Sequence, residues 1–171
     1  MIPRYRALAR RIEIELAALD NTQQVARRHW QRSLIQETDR DAFFNSVALN
    51  LHSFYSGLER IFELIANELD GGVLGGSGWH SELLQQMTLD LKDIRPPVLE
   101  SSTAAQLDEY RKFRHRIRNI YAGDLDANRM QTLVEKLPLL WELLQQELGA
   151  FVRFLEGIAN SDESSVIFPD D

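Results

Sequence analysis

Apolar residues recur along this chain at intervals of three and four. Tyr5, Leu8, Ile12, Leu16, Leu19, Ala26 and Trp30 form one such stripe, the spacing of a helix that buries a single face. Pro3 stands where a first helical turn tolerates it. The spacing predicts a helix from about residue 4 to about residue 32. The pattern is stronger in the next stretch, where Phe44, Val47, Leu51, Phe54, Leu58, Ile61, Ile65 and Leu69 follow the same steps and Asp39 offers a cap upstream. Five glycines among residues 70–78, "DGGVLGGSG", end this second helix in a loop.

Ser77 or Ser81 can cap a third helix carrying Leu83, Leu84, Met87 and Leu91, with "RPP" at 95–97 as its stop. A fourth begins near Ser102 or Thr103, buries Leu107, Tyr110, Phe113, Ile117 and Ile120, and meets a natural end at Gly123. Asp126 then caps a fifth with Met130, Leu133, Leu137, Leu140, Trp141, Leu144, Leu148, Phe151 and Leu155, bent at Pro138. No alternation of period two competes with these stripes. The expected fold is all-α, an antiparallel bundle of about five helices in one domain over residues 1–160, with residues 161–171 as an acidic, loosely ordered tail. Stripes of this width need burial against neighbours or against a second chain.

Charge adds a local feature. The chain holds 26 acids and 19 Lys or Arg; residues 111–118 contribute five of those bases and no acid, which leaves 14 bases against 26 acids elsewhere. General affinity for nucleic acid or anionic lipid is not expected of such a surface, whereas a local cationic groove for phosphate is compatible with it. Arg111, Arg114, Arg118 and Tyr121 follow one another by three, four and three, so a continuous helix sets them on one ridge. Guanidinium forks in a row can cradle phosphate; a basic run is also the ordinary composition of a solvated helix face.

Cysteine is absent, so disulfides, thiol nucleophiles and thiolate metal sites are excluded. The N-terminal segment mixes charges into its apolar positions, unlike a signal peptide or a membrane span. A cytoplasmic protein without membrane association is expected. His29, His52, His80 and His115 show no metal-ligand spacing, and the glycine loop lacks the Lys-Ser/Thr ending of a phosphate-binding loop, so neither metal nor cofactor is expected. His52, beside Leu51 and Phe54, reads as a partly buried, hydrogen-bonded histidine, and Trp30, Trp79 and Trp141 read as core or interface.

The segment "FRHRIRNIYAGDLD" resembles the signature of HEPN-domain toxins of the HepT-like kind, in which an Arg, four residues, a His, one residue and a Tyr close a helix. "FFNSVALNLHSFYSGLERIFELIA", "WHSELLQQM" and "LVEKLPLLWELLQQELGAFVRFLE" extend the likeness over about residues 5–157. The resemblance implies a helical homodimer with a shared basic cleft, metal-independent endoribonuclease activity on RNA, and a cognate minimal nucleotidyltransferase antitoxin that attaches AMP to the motif tyrosine. Carried onto this sequence, the motif arginine is Arg114, the tyrosine is Tyr121, and Arg111, Arg116 and Arg118 flank them as RNA contacts.

The motif histidine position holds Asn119. An amide can hold a hydrogen bond there but cannot accept a proton near neutral pH. Three explanations stand open: an engineered replacement, a natural loss, or a substitute base in His115, one helical turn away on the same face.

Overall fold

The computed structural model describes residues 2–73, 75–118 and 125–164. Among these residues five α-helices account for the fold: α1 Ile2–Ile35, α2 Arg40–Ile65, α3 Trp79–Gln86, α4 Ser101–Ile117 and α5 Ala127–Ser164. No strand occurs among the described residues. The all-α expectation holds. The stripes read from the sequence supply the core, with Leu8, Ile12, Leu19, Ala26 and Trp30 of α1 and Val47, Leu51, Phe54, Leu58, Ile61 and Ile65 of α2 all buried. The long helix α1 packs on both α2 and α5, while α4 packs on α2, α3 and α5. Gly57 permits the close approach of α1 to α2, since a Cβ there would lie 2.6 Å from Leu19 Cδ2.

Helix ends depart from expectation where tertiary contacts replace local caps. Asp39 precedes α2 without a side-chain capping bond. That helix runs on through a π-helical turn, Ala66–Asp70, closed by Gly71 at φ 86°. Gly78, not a serine, precedes α3. The beginning of α4 is held by α5, because Glu147 accepts from the Glu100 N–H at 3.2 Å and from Thr103 Oγ1 at 2.6 Å. Burial raises the Glu147 pKa above the ordinary carboxylate value, against the pull of these two bonds. Asp126 does cap α5, accepting from the Arg129 N–H at 3.2 Å. Pro138 lies inside α5, which continues to Ser164, past the expected edge of the tail at 161.

The third helix is shorter than its apolar spacing predicts, ending at Gln86, well ahead of the prolines. Arg95 explains the stop. Its Nε and Nη2 donate to the two carboxylate oxygens of Asp70, both at 2.7 Å, and the remaining N–H groups reach the carbonyls of Gln86, Leu89 and Pro96 at 3.1, 3.2 and 3.1 Å. A guanidinium has five N–H donors, and all five are used. The Met87 carbonyl accepts from the Val98 and Leu99 N–H groups. Carbonyls that a longer helix would bond internally are thus satisfied by a fold-back of the chain, and Leu91 falls in the turn.

Candidate nucleic-acid interface

The basic run lies in the last two turns of α4 and does not form one solvent-facing ridge. Arg111 is half-buried, its Nε 2.7 Å from Asp108 Oδ1, and Lys112 Nζ lies 2.9 Å from Asp108 Oδ2 and 3.1 Å from Glu109 Oε1. Burial works against ionisation of Asp108, but hydrogen bonds from Lys112 and Arg111 outweigh it and hold the carboxyl below its ordinary value. Arg116 and Arg118 are exposed and have no acid partner among the described residues. His115 is exposed beside them. Asn119 and Tyr121, with Ile120 and Gly123, lie outside the described residues.

Arg114 differs most from expectation. Instead of facing an open cleft it is buried, 6 % exposed, and its Nη1 and Nη2 meet the Oε1 and Oε2 of Glu59 at 2.7 and 3.1 Å. The register of α4 explains the burial: Arg114 stands one turn after Tyr110 and two after Leu107, both buried, so the helix carries its guanidinium into the core. A buried arginine needs an anion, and Glu59 of α2, itself 5 % exposed, supplies it.

His80, in the first turn of α3, completes the network. Its Nδ1 is 2.8 Å from Glu59 Oε2 and 3.0 Å from Arg114 Nη2. With a proton on Nδ1 the ring donates to Glu59; without one it accepts from Arg114. Trp79 stacks on the same imidazole, with ring centroids 3.6 Å apart. Tyr55 closes the other side, with the Arg114 guanidinium 5.2 Å from its ring centroid. The Tyr55 hydroxyl and Arg114 Nε are buried without a hydrogen-bond partner among the described residues. Burial, then the charge of Glu59, pushes the Tyr55 pKa far above the ordinary phenol value, so this hydroxyl stays a neutral donor.

A concave site opens one step along the same helices. It is lined by Asn45, Ala48, Leu49 and His52 of α2, Ile117 and Arg118 at the end of α4, and Leu125. His52 is half-buried, as its setting in the sequence suggested, but no hydrogen bond from a described residue reaches its ring. Burial, then the charges of Arg114 and Arg118, lowers its pKa below the ordinary imidazole value. The ring is therefore neutral at pH 7, offering one donor and one acceptor.

Sequence reasoning missed Glu59 and His80 as partners of the motif arginine. A signal for Glu59 was present, since Tyr55, Phe62 and Ala66 stand four before, three after and seven after it, all on a buried face. An acid at such a position requires a cation from elsewhere in the fold. Nothing in the sequence pairs it with Arg114 in particular, 55 residues on.

The fold and site are an all-α bundle with a charged cluster at the junction of its second, third and fourth helices. A family model described as "HepT-like protein" matches residues 46–155, from the first turns of α2 into the last turns of α5. The chain belongs to the HepT-like family. No curated protein and no solved structure matches it.

Proposed function

We propose that the chain is an RNA-directed toxin of the HEPN kind, a metal-independent endoribonuclease weakened by Asn119. The observation that carries this reading is the family match, which takes in both partners of the Arg114–Glu59 pair and the whole basic end of α4. In a chain of net charge −7, Arg116 and Arg118 are cations with no acid partner among the described residues. They are the residues for RNA phosphate, with Arg111 and Lys112 already engaged by acids of their own helix. Arg114, fixed on Glu59, sets the position of the α4 end and brings positive potential to it.

In the reaction, the ribose 2′-oxygen bonds to phosphorus as the bond to the 5′-oxygen breaks. A base takes the 2′-hydroxyl proton and an acid gives one to the leaving oxygen, while cations hold the phosphoryl oxygens. Asn119 can position the 2′-hydroxyl but cannot take its proton, and such a base is worth roughly 10²–10⁴-fold in rate. A homodimer would place two such helix ends in one composite cleft, and a nucleotidyltransferase partner would silence it by attaching AMP to Tyr121, adding bulk and negative charge where RNA must enter. No helix among the described residues is long and apolar enough to cross a membrane.

A second reading, a non-catalytic RNA-binding module, is favoured by the amide at 119 and by the engagement of Arg114 with Glu59. The two readings separate in one comparison: the protein and its Asn119→His variant, each with and without a cognate nucleotidyltransferase and ATP, assayed for RNA cleavage and intact mass. Cleavage gained with Asn119→His, and lost with a mass increase of one AMP that Tyr121→Phe prevents, is the expected result. RNA binding without cleavage in either form establishes the binding module. Strong cleavage by the unaltered protein would move the base to His115.

A further inference from the structure

The concave site beside Arg118 has the size and chemistry of a nucleotide site. Its volume is about 400 Å³, within the roughly 300–1,000 Å³ of small-molecule sites. Ala48, Leu49, Ile117 and Leu125 give it an apolar lining. Leu49 of α2 stands 64 % exposed, presenting an apolar surface on which a planar base can lie. Arg118 is a cation with no acid partner among the described residues, and the Asn45 amide and neutral His52 ring add hydrogen-bonding groups that can read a base edge. Apolar surface and one cation, with no carboxylate among the described lining residues, suit a nucleobase joined to a phosphate.

We propose that this site seats one unpaired nucleotide of an RNA strand, the base against Leu49 and Ile117 and the phosphate on Arg118. The proposal rests on the reading of the α4 end as an RNA site and adds that the strand is single there. A base within a duplex is stacked on both faces and cannot enter a pocket of this kind, whereas a base in a loop or free strand can be splayed into it. Phosphate contacts alone do not distinguish strand types; the pocket supplies that selectivity.

His52 reports on occupancy. The charges acting on its ring are Arg114 of α4 and Arg118 just past the end of that helix. A phosphate at Arg118 offsets part of that positive field, so the ring binds its proton more readily when the site is filled.

The experiment titrates the full chain with each of the four nucleoside monophosphates, with the nucleosides, and with inorganic phosphate, following the His52 ring by NMR. In parallel, a short single-stranded RNA and the same sequence as a duplex are titrated by fluorescence anisotropy. The variants are Leu49→Trp, which fills the pocket, Arg118→Ala, and Leu139→Trp as a control on an exposed apolar position of α5. A monophosphate is expected to raise the His52 pKa and to bind about tenfold more tightly than nucleoside or phosphate alone. Arg118→Ala weakens it by about tenfold, the scale of one charge-assisted contact. Leu49→Trp abolishes both the His52 response and the preference for single strands, and Leu139→Trp changes neither.

RNA binding that keeps its strand preference in Leu49→Trp would overturn the pocket while leaving the RNA reading intact. Absence of binding by either RNA form would instead remove the RNA reading, and this proposal with it. A monomer from Leu49→Trp and a dimer from the unaltered protein by light scattering, with no monophosphate response in either, would show that a second copy covers the site and would overturn the proposal.

Discussion

Arg114 and Glu59 join α4 to α2 through two parallel bonds, Nη1 to Oε1 at 2.7 Å and Nη2 to Oε2 at 3.1 Å, and each side chain is only 7 % exposed. Both charges have left water, and each depends on the other for compensation. Truncating either one strands its partner in the core, a cost of about 3–5 kcal/mol. Glu59→Ala and Arg114→Ala are each expected to lower unfolding stability by that amount in urea titrations followed by circular dichroism. The double variant Glu59→Leu with Arg114→Met should recover most of the loss, because apolar residues of similar bulk need no counter-charge. Additive losses in the double variant would refute the coupling.

Arg95 poses the same question at a different place. It satisfies the carbonyls behind α3 as well as Asp70, with all five donors in use. Lysine keeps the charge but brings three donors on one atom, so Arg95→Lys leaves buried acceptors without partners. A loss of about 3 kcal/mol is expected on the usual cost of unpaired buried groups. Amide hydrogen exchange should accelerate over residues 87–99 before it does in α2 or α5; uniform acceleration would mean that Arg95 supports the fold as a whole.

RNA binding should depend on salt through Arg116 and Arg118. Each phosphate contact on a single strand contributes about 0.7 to the slope of log affinity against log salt. Arg116→Ala and Arg118→Ala should therefore each flatten the slope by about 0.7. Lys112→Ala, whose ammonium lies on Asp108 and Glu109, should leave it nearly unchanged. A Lys112 effect equal to the others would show that the intrahelical pairs open when RNA binds.

Acid should weaken the fold through His52. Its folded pKa lies below the ordinary value of 6.5, first through burial and then through Arg114 and Arg118. The unfolded chain therefore binds a proton at this position before the folded one does. The contribution of His52 is fully present above pH 6.5 and is lost as pH falls toward the folded pKa. His52→Gln should reduce the fall in stability below pH 6.5 without altering it at pH 8. An unchanged pH profile in that variant would assign the acid sensitivity to other groups.

The sequence makes the helices legible because each stripe is a local pattern: Leu51, Phe54, Leu58 and Ile61 lie on one face of α2 whatever packs against it, and all are buried. It hides what depends on partners far along the chain. The basic residues of α4 look unopposed within their window, yet Asp108 and Glu109 just upstream engage two of them and Glu59 engages a third. Leu91 extends the apolar spacing of α3, but the end of that helix is decided by Arg95 and Asp70, 25 residues apart. Asn119 and Tyr121 follow from the motif alone, since they lie outside the described residues. The pocket at Leu49 and Arg118 joins residues from α2 and α4 that no sequence interval connects.

The packing of α1 on α5 has a bearing on the order in which the chain folds. Trp141 Nε1 of α5 donates to Asp20 Oδ1 of α1 at 2.9 Å, across 121 residues. The hairpin of α1 and α2 closes over a short loop and can form as soon as both helices exist, but the other buried face of α1 has no cover until α5 has been made. During synthesis the first helix therefore waits half-covered for the last, and that interval, not the finished bundle, is when this chain is most exposed to aggregation.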